Sequence, residues 1–198
     1  MNAFGQKDYI DIIFPRNFMG VMSPPNLEEV LEVFNNDTYL LKDKECTWNE
    51  SCLVKVDYID TQAVNSIITP TIYKFLDHYS HFSLWKKSDL NILIDGIWRN
   101  TYKKGYHQEV HNHANHDLSC VIFLDEPTSD AAKFYFWDTS CAEITENWKK
   151  LHYTGDKRYV ILPKGSFLFF PSNMAHGVSV HNKDDIRRTV SFNINFSL

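Results

Sequence analysis

The sequence has 198 residues, 43% of them hydrophobic and 15% aromatic, which is enough to bury the core of one domain. Its net charge of −5 and its scattered basic residues argue against a surface for duplex nucleic acid, which needs clustered Lys and Arg. No apolar run approaches the roughly 20 residues of a membrane-spanning helix. The N-terminus has no signal-peptide pattern, and the four cysteines (Cys46, Cys52, Cys120 and Cys141) show no paired spacing. We therefore expect a cytoplasmic protein with free thiols and no membrane partner.

The first part of the chain, residues 1–88, predicts supporting strands and helices. Residues 8–14 form an apolar run that is typical of a strand. Residues 27–35 carry apolar side chains at helical spacing after Asn26, a favourable N-cap residue, and predict a short amphipathic helix. The pair Thr69-Pro70 is typical of an N-cap followed by the first helical residue, and an apolar stripe follows it. This pattern predicts a second helix that packs on the outside of a sheet.

The second part, residues 89–198, predicts a β-structure that carries the functional site. It consists of short β-like runs separated by turn residues, with a polar segment at 138–157 and no helical periodicity between the runs. Strands at this spacing indicate a jelly roll or a sandwich, and we expect residues 1–198 to form a single domain. The predicted strands are 90–96, 97–102, the strand that ends at His113, 118–124, 133–137, 158–162, 166–170, 176–181 and 187–196.

A pair of histidines, His111 and His113, lies at the end of one predicted strand. Side chains that are two residues apart on a strand point to the same face, so the two imidazoles could bind one metal ion. Such pairs also occur on ordinary surfaces, and the pattern alone is weak. In a jelly roll, however, His176 opens a later strand and can approach them. The other histidines, among them His107, His116, His152 and His181, are interpreted as turn, surface or supporting residues.

Arg187 lies one hairpin beyond His176, on the predicted neighbouring strand. Three imidazoles on one side of a metal leave its other side open, as in non-haem iron sites. A guanidinium a few ångströms away could form a bidentate pair with the far carboxylate of a dicarboxylic acid. By strand alternation Thr189, Ser191 and Asn193 share the face of Arg187, whereas Arg188 points the other way and is the poorer candidate.

These residues resemble the Fe(II)- and 2-oxoglutarate-dependent oxygenases, in particular a group that is common in marine bacteria and their phages. The resemblance implies a double-stranded β-helix, an Fe(II) cofactor, and the oxidative decarboxylation of 2-oxoglutarate coupled to oxidation of a second substrate by dioxygen, with hydroxylation expected. The second substrate and the oligomeric state are not readable from the sequence. The matching stretches are Trp98–Gly105, His111–His113, Leu118–Ser119, Phe123–Pro127, Pro163–Ser172, His176–Val178 and Arg187–Asn193.

The resemblance also implies roles for single residues. His111 corresponds to the first iron ligand, His176 to the distal ligand, and Arg187 to the residue that binds 2-oxoglutarate. Tyr102 is a further candidate for the co-substrate site, on strand order alone. The wider superfamily has His-x-Asp where this chain has His111-x-His113. We expect His113 to be the third ligand; Asp117, Asp138 or a vacant position are the alternatives.

A second interpretation is a cupin-like metal-binding barrel or a non-enzymatic β-barrel module that binds a ligand or belongs to a virion. The spacing from Gly105 to His111 and His113 fits the first half of the cupin signature, and Pro163-x-Gly165 is similar to its second half. In cupins a histidine follows that glycine closely, whereas His176 comes much later here. The longer gap and the presence of Arg187 favour the oxygenase.

Overall fold

The computed structural model describes residues 17–41, 54–79, 90–139, 145–152 and 156–197. The strand expected at 8–14 and the cysteines Cys46, Cys52 and Cys141 lie outside these residues, whereas Cys120 is a buried free thiol, as expected. The helices and strands are numbered along the chain. They are β1 Gly20–Met22, α1 Leu27–Asn35, β2 Lys55–Ile59, α2 Thr61–Tyr79, β3 Asn91–Tyr102, β4 Gln108–His111, β5 Leu118–Phe123, β6 Phe134–Trp137, α3 Glu146–His152, β7 Lys157–Val160, β8 Phe167–Pro171, β9 His176–Val178 and β10 Arg187–Ser197.

Two antiparallel sheets form the body of the protein. The six-stranded sheet has the order β1-β8-β5-β10-β3-β2, and the four-stranded sheet has the order β4-β9-β6-β7. Because alternate side chains of a strand point to opposite faces, one face of β5, β8 and β10 packs towards the helices and the other towards the smaller sheet. The expected jelly roll of mostly β structure is therefore confirmed.

Helices α1 and α2 pack on the outer face of the six-stranded sheet, as predicted. Helix α1 covers the predicted residues and buries Val30 and Phe34. Helix α2 stacks Phe75 on Phe169 of β8, with 4.4 Å between the ring centroids. The N-terminal part also supplies both edge strands of this sheet, since β1 pairs with β8 and β2 pairs with β3. The assignment of residues 1–198 to a single domain stays a prediction.

Helix α2 begins nine residues before the predicted start, at Thr61 rather than at Pro70. Asp60 caps it, because Oδ1 accepts hydrogen bonds from the backbone N–H groups of Gln62 (3.0 Å) and Ala63 (3.4 Å). Pro70 therefore lies inside the helix, where its missing N–H and its ring are unfavourable. Val64 and Ile68 precede it and are fully buried, so packing of the longer helix outweighs the preference of proline for a first turn.

Substitution of Asp60 by alanine is expected to destabilise the protein by about 1 kcal/mol, because two N–H groups lose their acceptor. Chemical denaturation of Asp60→Ala, with Asp60→Ser as the variant that retains a capping oxygen, checks this prediction. Equal stability of wild type and Asp60→Ala would mean that the helix starts later, as the sequence suggested.

Three further details differ from the sequence-based expectations. Asn26 stands at the start of α1, but its side chain makes no cap; Nδ2 instead donates to the carbonyl of Ile67 in α2 at 3.1 Å. The polar segment at 138–157 contains α3, whose Trp148 and Leu151 are exposed, so it has no buried stripe from which a helix could be predicted. Within the described residues, no helix has both the length and the apolar character needed to cross a membrane.

Candidate metal centre and co-substrate cavity

Three histidines meet at one end of the space between the two sheets. His111 is the last residue of β4 and His176 the first residue of β9, and the two are direct partners in the antiparallel register. His113 lies two residues beyond the end of β4, so the prediction that one strand carries both His111 and His113 was wrong. Its backbone N–H donates to the carbonyl of Ser172 at 2.7 Å, which holds this turn against the end of β8.

The side-chain nitrogens of these three histidines lie within 4.8 Å of one another. The ring centroids of His111 and His176 are 4.3 Å apart, and His113 is 5.2 Å from the first ring and 5.3 Å from the second. Among the described residues, no other group of histidine, cysteine or acidic side chains meets this criterion. Neither alternative ligand, Asp117 or Asp138, belongs to the group.

Two of the three imidazoles have a defined tautomer. The Nδ1 atom of His111 lies 2.7 Å from the carbonyl of Glu109, and that of His176 lies 2.8 Å from the carbonyl of Met174. Because a carbonyl only accepts, Nδ1 carries the proton in both rings, and Nε2 presents its lone pair. This second hydrogen bond is the usual way in which a protein orients a metal-binding histidine.

All three imidazoles are held in their neutral form. Burial lowers the pKa of His113 to about 4, with a smaller effect from the charge of His111. Burial also lowers the pKa of His111, and it lowers that of His176 well below its ordinary value. Neutral imidazole is the form that binds a metal ion, so the site needs no deprotonation step near neutral pH.

A cavity between the two sheets is lined by these histidines at one end and by Arg187. The guanidinium of Arg187 lies over the ring of Phe123 at 5.7 Å and is only 8% exposed. Its Nη1 atom is buried and has no hydrogen-bond partner among the described residues. Burial lowers the pKa of Arg187, but an arginine in a protein remains a cation. A buried cation with an unmatched donor fits a carboxylate from a ligand.

Arg188 has a different environment. Its backbone N–H donates to Asp125 Oδ2 at 2.6 Å, and its guanidinium lies 3.7 Å from the other oxygen of the same carboxylate. It does not line the cavity. Of the two arginines considered from the sequence, Arg187 is therefore the one that lines the cavity with the three histidines.

The other predicted co-substrate residues form the wall between the histidines and Arg187. Thr189, Ser191 and Asn193 of β10 and Tyr102 of β3 all line the cavity. The Tyr102 hydroxyl is fully buried and donates to Gln108 Oε1 at 2.9 Å. Apart from the histidines and Arg187, the polar side chains of this lining are hydroxyls, amides, the indole of Trp98 and the thiol of Cys120. No carboxylate is among them.

Comparison with known proteins agrees with this geometry. Residues 96–193 match the family model described as "Putative 2OG-Fe(II) oxygenase". This part of the chain belongs to the 2OG-Fe(II) oxygenase superfamily. The oxygenase is therefore an enzyme that uses Fe(II) and 2-oxoglutarate, and the non-enzymatic barrel considered from the sequence is set aside. No curated protein matches the chain by sequence.

Solved structures share the fold of the oxygenase. An oxidoreductase of the 2OG-Fe(II) oxygenase family from Burkholderia pseudomallei is 9% identical, with a TM-score of 0.60 over 89% of this chain and 84% of that chain. EvdO2 from Micromonospora carbonacea var. aurantiaca, complexed with 2-oxoglutarate, is 10% identical, with a TM-score of 0.60 over 92% and 87%. A prolyl-4-hydroxylase from Pseudomonas putida is 12% identical, with a TM-score of 0.55 over 89% and 91%.

The oxygenase has buried polar residues around its cavity that sequence reasoning missed. Asn100 and Gln108 line the cavity, and Ser119 forms hydrogen bonds with Ser172 (2.8 Å) and Asn193 (2.9 Å). Asn100 and Ser119 occur in stretches that resemble the family, but the only signal for the individual residues was that polar residues alternate with apolar ones in predicted strands. Such alternation is also typical of solvent-exposed faces.

His181 was expected at the surface, and that prediction was wrong because the ring is fully buried. Its Nδ1 accepts from the backbone N–H of Ala132 at 3.1 Å, and its Nε2 donates to the carbonyl of Asp185 at 2.9 Å. These bonds satisfy both ring nitrogens, one with the chain just before β6 and one within the hairpin that precedes Arg187. A histidine between Val180 and Asn182 gives no sign in the sequence of such a structural role.

The free energy of unfolding of the metal-free oxygenase is expected to fall as the pH falls below about 6.5. In the folded protein the pKa of His113 is lowered from 6.5 to about 4, so between these values the unfolded chain binds more protons than the folded one. Above pH 6.5 the lowered pKa of His113 leaves the free energy of unfolding nearly unchanged. At pH 5 it reduces this free energy by about 2 kcal/mol. His111 and His176 act in the same direction.

Urea denaturation of the metal-free protein at pH 7.5 and pH 5 measures this effect. His113→Asn should show a smaller loss of stability between the two pH values than wild type. An identical pH dependence of the two proteins would contradict the lowered pKa of His113.

Proposed function

We propose that this oxygenase is a hydroxylase in which His111, His113 and His176 bind Fe(II) and Arg187 binds the distal carboxylate of 2-oxoglutarate. The observation that carries the proposal is the cavity itself. Three neutral imidazoles converge at one end, and a buried, unmatched guanidinium lies towards the other. A dicarboxylic 2-keto acid has the complementary groups, a chelating head and a charged tail.

Each histidine has a defined part in the proposed metal site. Through their protonated Nδ1 atoms, His111 and His176 are oriented by backbone carbonyls, so their Nε2 atoms are preorganised towards the metal. His113 supplies the third nitrogen in the position where the superfamily has an aspartate. Three protein ligands on one side leave positions for the keto acid and for dioxygen on the other.

The charges of the cavity favour a dianion. The site contains neutral histidines, one guanidinium and no lining carboxylate, so a doubly charged keto acid meets a cation at each end and no repulsion from the wall. In the proposal Thr189, Ser191, Asn193 and Tyr102 complete this wall. When bound, Fe(II) supplies the dioxygen chemistry that couples decarboxylation of 2-oxoglutarate to oxidation of the second substrate, while the residues orient the reactants and exclude water.

Hydroxylation is the oxidation that we propose, in line with the resemblance of the motifs. Transfer of an oxygen atom to a C–H bond needs no further acid or base from the protein, and none of the described lining residues is a carboxylate or a lysine. We also propose a cytoplasmic location, from the cysteine pattern of the sequence. The second substrate remains to be identified.

Turnover with labelled dioxygen tests the proposed reaction. The Fe(II)-loaded protein should convert 2-oxoglutarate to succinate and carbon dioxide, with one atom of ¹⁸O₂ in the succinate and the other in a hydroxylated product when a panel of peptides, nucleosides and sugars is supplied. A product that is desaturated or epimerised, with no label, would contradict hydroxylation. Absence of succinate formation with every member of the panel and with 2-oxoglutarate alone would contradict the proposed activity.

A further inference from the structure

Asn100 is a buried amide in the wall of the cavity, and sequence reasoning gave it no role. It lies on β3, is 2% exposed, and lines the same cavity as the three histidines and Arg187. Its Nδ2 atom donates to the hydroxyls of Thr189 (3.3 Å) and Ser191 (3.1 Å) on β10. Its Oδ1 atom is fully buried and has no hydrogen-bond partner among the residues that the structure describes.

An unmatched buried acceptor is unfavourable, and a carboxamide can replace it with an unmatched donor by turning over. The oxygen and nitrogen of the amide have nearly the same shape, and the hydroxyls of Thr189 and Ser191 can donate as readily as they accept. With the amide turned over, Oδ1 accepts from both hydroxyls and Nδ2 becomes the unmatched group. That orientation presents a hydrogen-bond donor where a carboxylate could accept it.

The strand register places Asn100 between the two ends of the cavity. Tyr102 pairs with Arg187, Asn100 pairs with Thr189, and Trp98 pairs with Ser191. The ring of Trp98 lies 5.7 Å from that of His113. Asn100 is therefore about 7 Å nearer the histidines than the row of Arg187 is, since two strand residues span that distance. A ligand held by Arg187 at its tail would bring its chelating head to Asn100.

We propose that Asn100 binds the metal-chelating end of 2-oxoglutarate, through a hydrogen bond from Nδ2 to the carboxylate next to the keto group. The inference rests on the proposed function of the site. Thr189 and Ser191 are then positioning residues: they fix the orientation of the Asn100 amide and do not touch the co-substrate themselves. This role differs from the direct contact that strand alternation suggested for them.

Two keto acids distinguish binding at the chelating end of the site from binding at its distal end. 2-Oxoglutarate has both a chelating head and a distal carboxylate, whereas pyruvate has only the chelating head. We expect Asn100→Ala to weaken the anaerobic binding of both acids to the Fe(II)-loaded protein by a similar factor of about 10 to 100, as for a hydrogen bond to a charged group. Arg187→Ala should weaken the binding of 2-oxoglutarate and leave the binding of pyruvate nearly unchanged. Equilibrium titration, which needs no turnover, gives all these affinities.

Asn100→Asp and Asn35→Ala are the matched variants. Asn100→Asp keeps the shape of the side chain, removes the hydrogen-bond donor and adds a negative charge. It should therefore weaken the binding of both keto acids more than Asn100→Ala does. Asn35, in α1 and outside the cavity, also has a buried Oδ1 without a partner among the described residues, while its Nδ2 donates to Leu31. Asn35→Ala therefore measures the general effect of deleting such an amide, and it should leave both affinities unchanged.

A double-mutant cycle tests the role of Ser191. Ser191→Ala should weaken the binding of both keto acids less than Asn100→Ala does. In the double variant it should not weaken their binding any further than Asn100→Ala alone. Additive losses would mean that Ser191 contacts the co-substrate directly, which would overturn its positioning role.

Other outcomes would overturn the role of Asn100. If Asn100→Ala and Asn100→Asp bound both acids as wild type does, the amide would be structural only. If these variants weakened the binding of 2-oxoglutarate and not that of pyruvate, Asn100 would contact the distal carboxylate instead of the chelating end. Failure of the proposed function gives a different result, because wild type itself would then bind neither acid in the presence of Fe(II).

Discussion

Replacement of His176 by alanine is expected to weaken metal binding by more than about 100-fold, which is the upper range for loss of a group that only orients a ligand. His176 is 4% exposed, and its Nδ1 donates to the carbonyl of Met174, so the orientation of its ring is fixed. The measurement is anaerobic calorimetry with Fe(II), or with Mn(II) in air. Activity with 2-oxoglutarate should be lost together with the metal.

His181→Gln is the matched control for this prediction. His181 is also a buried histidine with a backbone partner on Nδ1, but it lies outside the cavity. The control should lose stability and retain its metal affinity. Equal metal affinities of wild type and His176→Ala would remove His176 from the site, and with it the three-histidine arrangement.

Replacement of Arg187 by alanine is expected to lower the affinity for 2-oxoglutarate by about 100-fold or more while leaving metal binding intact. Truncating one partner of a buried, hydrogen-bonded charge pair costs about 2–5 kcal/mol, because the other charge is left in a cavity without a counter-ion. Arg187→Lys should recover part of the loss, since lysine restores the charge but not the two parallel hydrogen bonds. Titration of the Fe(II)-loaded protein with 2-oxoglutarate gives the affinities.

Arg188→Ala provides the comparison within the same strand. Because Arg188 pairs with Asp125 and does not line the cavity, its removal should leave the affinity for 2-oxoglutarate unchanged. The assignment would be contradicted by an unaltered affinity in Arg187→Ala, or by a large loss in Arg188→Ala together with a small one in Arg187→Ala.

The fold was predictable where one local signal dominates. Helix α1 has strong amphipathic spacing after Asn26, and β8 is a short apolar run bounded by turns, so both were found close to their observed bounds. The start of α2 was wrong because Thr69-Pro70 is a strong local signal. Tertiary packing of Val64 and Ile68 overrides it, and packing against a sheet cannot be read from neighbouring residues.

The site was predictable where side chains alternate regularly between the two faces of a long strand. Alternation along β10 correctly put Thr189, Ser191 and Asn193 on the side of Arg187. The approach of His113 to the other two histidines was expected, but for the wrong reason. A turn held by the Ser172 carbonyl brings it there, and that contact joins residues that are distant in sequence.

Buried amides and hydroxyls were beyond such reasoning. Asn100 occurs in a stretch that resembles the family, yet an asparagine in a strand can face solvent, cap a turn or line a site. Only the register of β3 with β10 brings it opposite Thr189, and only burial reveals that its Oδ1 is unmatched.

The most direct test of the whole account is an anaerobic titration of the protein with Fe(II) and 2-oxoglutarate, followed by visible absorption. A charge-transfer band should appear only when both are present, saturate at one equivalent of each, and be absent from His176→Ala. In Arg187→Ala the band should need a much higher concentration of 2-oxoglutarate. A wild-type protein that binds Fe(II) tightly but never develops the band, or one whose band survives loss of His176, would contradict it.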